Sequence, residues 1–169
     1  MNIGLRKIIR AAVIAAIYVA LCLVFAPISY GTVQVRVSEA LTLLVVLCPE
    51  ALIGVTVGCF ISNMIASAPI DMLVGTLATL IAGVCTFKMR KMRFKGLALA
   101  PSVPPVIFNA VIVGAELTLL FSPANSPLAV WLINMASVGI GQIISCSVLG
   151  VLLVFLIERN KALHRMLTE

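Results

Sequence analysis

Charge is scarce in this 169-residue chain: 11% of its residues are charged and 62% are apolar. A soluble domain is about a quarter charged and about half apolar, so a soluble globular enzyme is excluded at the outset. Histidine is almost missing; the single copy, His164, lies in the basic tail. No Ser–His pair and no histidine metal cluster can therefore form inside an apolar segment. Lysine is absent from the long apolar runs, which removes a Ser–Lys dyad. There is no GxxxxGK[ST] stretch, so this chain has no P-loop with which to hold ATP. The five cysteines (Cys22, Cys48, Cys59, Cys85, Cys146) show no CxxC spacing. They sit in or at the ends of apolar segments, where cysteine behaves as a small hydrophobe. Neither a disulfide framework nor a metal site is expected from them.

What is present is apolar sequence from end to end, punctuated by clusters of basic residues. At roughly 20 residues per spanning helix the length allows at most six or seven crossings. Eleven of the 12 Lys and Arg residues fall in three groups. These are Arg6, Lys7 and Arg10; then Lys88, Arg90, Lys91, Arg93 and Lys95; then Arg159, Lys161 and Arg165. Only Arg36 stands apart. Basic residues that flank apolar spans report topology, because they stay on the cytoplasmic side. The net charge of +6 is therefore a topology signal, and no nucleic-acid partner is expected. The N-terminus has the charge and apolarity of a signal peptide, but its run is long and no small-residue cleavage site follows. It is expected to be a retained first span.

The pattern predicts a first span from about Ile8 to Phe25, broken by Pro27 and Gly31. Val33, Val35 and Val37 then alternate with Gln34, Arg36 and Ser38, as in a short extended segment. Ser38 is placed to cap a helix starting at Glu39. That helix meets Cys48-Pro49 after about nine residues, a climb of about 14 Å and half of the ~30 Å apolar core. Irregular backbone at that depth is tolerated only when buried in protein or lining a wet cavity. Further spans are predicted at about Ala51–Ala66, Pro69–Phe87, Pro104–Phe121 and Leu128–Ile157. Ser102 with Pro104 and Pro105 marks the start of the fifth. The expected architecture is an all-α integral membrane protein with six transmembrane helices in one domain, residues 1–169, and both termini cytoplasmic. Five spans would set the basic loop and tail opposite the basic N-terminus, against the charge rule.

Polar residues inside the spans are the functional signal. Glu39 starts the second helix, Asn63 lies in the third and Asp71 opens the fourth. Asn109 and Glu116 are seven apart on one face of the fifth, and Asn134 and Gln142 lie on the sixth. A charge near the bilayer centre costs about 2.5–3.5 kcal/mol on insertion scales, so such groups face inward. The topology puts Arg36, Glu39, Asn63, Asp71, Glu116 and Asn134 in the outer half, with Asn109 and Gln142 nearer the middle. The expected result is an outward-facing polar cup overhung by the segment from Tyr30 to Ser38. A channel would need polar lining through the whole depth. Blander roles compete. The asparagines can bond helix to helix, Asp71 can cap its helix, Arg36 and Glu39 can neutralise each other, and Glu50 can be a solvated turn residue. Gly114, Gly139 and Gly141 are expected to allow close helix approach, as are Gly54 and Gly58. Ala12, Ala16 and Ala20 form a small-residue stripe on the first helix, fit for internal packing or a partner subunit.

The segments YGTVQVRVSEALTLL (Tyr30–Leu44), GVTVGCFISN (Gly54–Asn63), PSVPPVIFNAVIVGAEL (Pro101–Leu117) and NMASVGIGQ (Asn134–Gln142) together resemble the queuosine precursor transporter family (QueT). Its members are substrate-binding S components of energy-coupling factor (ECF) transporters. Gln142 stands where many relatives are expected to carry a carboxylate. The resemblance implies a multi-pass protein of the bacterial cytoplasmic membrane, with a pocket near the outer face that binds a 7-deazaguanine: queuine or its aminomethyl or cyano precursor. Substrate contacts are then expected from Arg36, Glu39, Asn63, Asn109, Glu116, Asn134 and Gln142. It further implies that Ala12, Ala16 and Ala20 dock on a membrane coupling subunit, which joins two cytoplasmic ATPases. ATP is used by those partners, and no cofactor is expected in this chain. The competing expectation is a solitary secondary transporter of a purine-like or vitamin-like solute.

Overall fold

The computed structural model describes residues 3–29, 35–67, 69–122 and 127–168. It is all-helical, and four of its helices are long and apolar enough to cross a membrane. These are α1 (Ile3–Val24), α4 (Pro69–Lys88), α5 (Leu99–Phe121) and a continuous run from Leu128 to Arg159. That run comprises α6 (Leu128–Gln142), a π-helical segment (Ile143–Gly150) and α7 (Val151–Arg159). At 1.5 Å per residue α1 is about 33 Å long, enough for a ~30 Å apolar core. Two shorter apolar helices complete the bundle: a 3₁₀ helix (Val37–Val46) and α3 (Ala51–Ala66). A one-turn helix, α2 (Ala26–Ser29), follows α1, and α8 (Lys161–Thr168) ends the chain.

The 3₁₀ helix corrects the expectation of an α-helix capped by Ser38. Arg36 precedes it with no side-chain cap, and the Ser38 hydroxyl instead lies 3.0 Å from Cys22 Sγ. Three residues per turn at about 2.0 Å each give ten residues a length of about 20 Å, not 14 Å. Side chains three apart eclipse in this winding, so the helix presents three straight rows to three walls. Glu39 and Thr42 face Tyr18 and Thr79. Leu41 and Leu44 enter a core with Ile14, Cys22, Val55 and Cys59. Leu43 packs on Val151 and Val154. Every residue from Ser38 to Val46 is buried, so this helix is the axis of the fold.

Glycine sets the closest approaches. A Cβ on Gly58 would lie 2.7 Å from that of Tyr18, and one on Gly54 would lie 2.7 Å from the Ala11 carbonyl oxygen. The α1–α3 contact therefore needs both glycines, and Gly114 plays the same part against Met135.

Helix α5 begins at Leu99, five residues before the expected start, with Ser102 inside its first turn. Pro104 and Pro105 therefore fall within the helix. Pro105 has no N–H to give the Pro101 carbonyl; the Thr86 hydroxyl of α4 donates to it instead, at 2.9 Å.

Glu50 is not the solvated turn residue expected. Arg10 pairs with it at 3.2 Å and also donates to the Leu167 carbonyl at 2.8 Å. The start of α1, the start of α3 and α8 thus meet. Arg93 pairs with Glu158 at 2.7 Å, tying the basic loop to the end of α7. Helix α8 had no counterpart in the sequence reading. Asn160 caps it, its side-chain oxygen accepting from the N–H groups of Ala162 and Leu163 at 3.1 and 3.3 Å.

Candidate functional site

Two polar groups are built inside this apolar bundle. The first surrounds Glu39, whose residue is 1% exposed. Tyr18 of α1 donates to Oε1 at 2.5 Å, and Thr79 of α4 donates to the same oxygen at 3.3 Å. Thr42, one 3₁₀ turn on, donates to Oε2 at 3.0 Å. A buried carboxylate is tolerated where hydrogen bonds replace its water, and here three hydroxyls do so. The Cys146 thiol lies within reach of the Glu39 carbonyl (3.4 Å) and of Gln142 Oε1 (3.3 Å). Gln142 therefore belongs to the surroundings of this first group.

The second group gathers residues from four elements. Arg36, just before the 3₁₀ helix, donates to Asp71 Oδ2 of α4 at 2.8 Å. Ser67, at the end of α3, donates to the same Asp71 oxygen. Asn63 of α3 gives its amide N–H to the Asp71 backbone carbonyl at 3.0 Å. Arg36 thus pairs with Asp71, and Asp71 is an ion-pair partner beyond any capping role. Glu116 of α5 has Asp71 and Arg36 as its charged neighbours.

The hydrogen-bond accounting of this group does not close. Glu116 is only 6% exposed, and no N–H or hydroxyl of a described residue reaches either of its oxygens; the Asp71 side chain stands within hydrogen-bonding reach, so a proton shared between the two carboxyls is the bond open to it in the empty protein. Asn63 Oδ1, Asp71 Oδ1 and Asn109 Nδ2 are likewise buried without partners there. Nearly all buried polar groups in folded proteins are hydrogen-bonded, and each exception costs about 1–3 kcal/mol. Unspent acceptors on Glu116, Asp71 and Asn63, gathered around one arginine, are what a site for a ligand with N–H donors requires; Asn109 lies two turns before Glu116 on α5.

Asn134 of α6 gives its amide N–H to Thr118 of α5 at 2.9 Å, a bond that joins two helices. The overhanging segment from Tyr30 to Ser38 lies partly outside the described residues, which resume at Val35. On α1, Ala12, Ala16 and Ala20 are exposed, while the adjacent Ala15 is buried against α3. The sequence reading missed Tyr18, Thr42, Thr79, Ser67 and Thr118. Tyr18 did carry a signal, since a phenol inside an apolar helix needs a partner.

Comparison with known proteins gives a consistent assignment. The family model described as QueT transporter matches residues 8–159. Over 76 residues the chain is 41% identical to the Queuosine precursor transporter QueT of Lactococcus lactis subsp. cremoris (strain MG1363). That stretch covers 44% of this chain and 45% of the relative, so the match spans about half of the relative's length. No solved structure matches. Matched from Ile8 in α1 to Arg159 at the end of α7, this multi-pass membrane protein belongs to the QueT transporter family.

Proposed function

We propose that the chain is the substrate-binding subunit of an ECF-type importer, and that it captures a 7-deazaguanine from outside the cell. Residues 1–169 act as one domain with six membrane crossings, the 3₁₀ helix and α3 being the two short ones. Both termini are cytoplasmic. The Arg10–Glu50 and Arg93–Glu158 pairs lie at the basic end, which the charge rule retains inside. Arg36, Asn63, Asp71 and Glu116 then open toward the outer face.

The observation that carries the reading is Glu116, a buried carboxyl that no N–H or hydroxyl of a described residue reaches and whose side-chain neighbour is the Asp71 carboxyl. A guanine-like edge offers two adjacent N–H donors, which one carboxylate accepts in bidentate fashion. Glu39 suits this task less, because three hydroxyls already occupy its oxygens. Asn109 Nδ2 is a spare donor for the ring carbonyl, and Asn63 Oδ1 is a spare acceptor. Asp71 and Glu116 bring two carboxylates to one Arg36, so the group carries excess negative charge when both are ionised. That favours the precursor with a protonated aminomethyl arm over the neutral cyano form.

The exposed row Ala12, Ala16 and Ala20 is smooth enough for a helix of the coupling subunit. The ATPases are separate chains, in keeping with the missing P-loop. The competing reading is a solitary secondary transporter. Two experiments divide them: affinity purification from native membranes, and uptake of a labelled 7-deazaguanine. The proposal expects an ATP-hydrolysing module to co-purify and uptake to stop when that module is deleted. Uptake by the purified chain alone in vesicles, driven by an ion gradient, would establish the solitary carrier instead.

A further inference from the structure

A concavity lies between α1 and α3 at the end of the bundle that carries Lys7 and Glu50, two turns or more along α1 from Tyr18. An apolar groove of about 470 Å³ runs between α1 and α3, lined by Ile8, Ala11, Ala12, Ala15, Ile53 and Val57 among others, so it borders the Ala12 end of the exposed alanine row. At one end it meets a more polar pocket of about 270 Å³, which includes Arg10 and the α8 residues Leu167 and Thr168. Lys7, Pro49 and Glu50 line both. From Lys7 to Ala15 the groove follows α1 for about 12 Å, close to the depth of one leaflet of a ~30 Å apolar core.

From this we infer that the two cavities form a binding site for one anionic phospholipid, its acyl chain in the groove and its phosphate at Lys7. The shape supplies the first argument: a dry channel one leaflet deep ends in a wet pocket at the membrane surface. Charge supplies the second. Arg10 is engaged by Glu50 and by the Leu167 carbonyl. Lys7 is exposed and has no hydrogen bond or ion pair among the described residues. Lys7 is thus the cation left for a phosphate. Helix α8 supplies the third. Its apolar arc holds Ala162, Leu163, Met166 and Leu167. Leu167 packs on the bundle core, while Leu163 and Met166 remain 46% and 70% exposed. Lys161 and Arg165 take the opposite arc. A helix so patterned, directly after a membrane span, lies in the interface plane with its apolar side among lipid. It therefore holds its end of the polar pocket at headgroup level, where basic pockets between spanning helices bind anionic heads.

The test is native mass spectrometry of the purified full chain, titrated with phosphatidylglycerol and phosphatidylcholine of identical acyl chains. One cation at the surface is worth about five-fold in affinity for an anionic head. Phosphatidylglycerol adducts should exceed phosphatidylcholine adducts by about that factor. Lys7→Gln should bring the two lipids to parity, whereas Lys91→Gln, on the basic loop, should leave the preference intact. Ile53→Trp, a change at a surface position that narrows the groove, should reduce adducts of both lipids. Parity in the unmodified chain would overturn the inference. So would a preference that survives Lys7→Gln, or one lost equally in Lys91→Gln, which would mark diffuse surface charge. Full adduct formation in Ile53→Trp would remove the groove from the account. A groove that takes no lipid, yet whose variants lose a co-purifying membrane subunit, would have a protein helix as its occupant.

Discussion

Glu116→Gln should separate stability from binding. In the empty protein the Glu116 carboxyl is buried, and no N–H or hydroxyl of a described residue reaches either oxygen. Its side-chain neighbour is the Asp71 carboxyl, to which a glutamine can donate an amide N–H, so removing the charge gives up no native contact. Unfolding of the empty variant should stay within about 1 kcal/mol of the parent or move in the stabilising direction. At this chain length that is a shift in Tm of no more than about 2–4 °C downward. Ligand binding should behave oppositely. Two hydrogen bonds to a charged acceptor are worth about 1.5–3 kcal/mol each. Gln keeps one acceptor oxygen and turns the other into an N–H that faces a donor, so at least one of these bonds is lost and Kd rises about ten-fold or more, at 1.4 kcal/mol per decade. The assay pairs thermal unfolding in detergent, followed by the single tryptophan, Trp131, with calorimetric titration of a 7-deazaguanine. A variant that unfolds more than about 5 °C lower yet binds unchanged would show Glu116 to be structural, and would refute the reasoning.

Arg36→Ala should behave in the contrary way, because it leaves Asp71 buried and without its cation. Breaking a buried pair costs about 3–5 kcal/mol, visible as a marked fall in Tm, and a Tm unchanged in the empty protein would show that the pair contributes nothing. Thr86→Val removes the donor to the Pro101 carbonyl and should cost about 1–3 kcal/mol with binding preserved, measured by the same two assays. Trp at both Ala12 and Ala16, exposed on α1, should abolish uptake and leave ligand binding intact; loss of binding as well would make these positions internal packing.

Much of the bundle is legible in the sequence because apolar length and proline position are local signals. Helix α3 has the bounds its pattern predicts, and α4 begins at the predicted Pro69. The errors have tertiary causes. Helix α5 extends five residues further back because Thr86, on another helix, satisfies a carbonyl that two prolines had stranded. The 3₁₀ winding depends on three walls contributed by distant segments, so the local sequence reads as α. Helix α8 is eight residues long, and its amphipathic pattern is too short to stand out beside a 32-residue apolar run. In the candidate site, the sequence named Arg36, Asn63 and Glu116, which the fold brings to Asp71. It named Glu39 as well, as the alternative to Glu116 for the purine edge. The difference between them lies in Tyr18, Thr42 and Thr79, hydroxyls from three elements whose convergence only the fold reveals.

The central claim is that the outer polar group binds a 7-deazaguanine, and direct calorimetry on the purified, folded chain tests it most plainly. Queuine and its aminomethyl and cyano precursors are titrated in turn, with guanine, riboflavin and thiamine as controls. Saturable one-site binding of a 7-deazaguanine is expected, tightest for the aminomethyl form, with no heat from riboflavin or thiamine. No binding of any 7-deazaguanine, or riboflavin bound as tightly as the best of them, would contradict it.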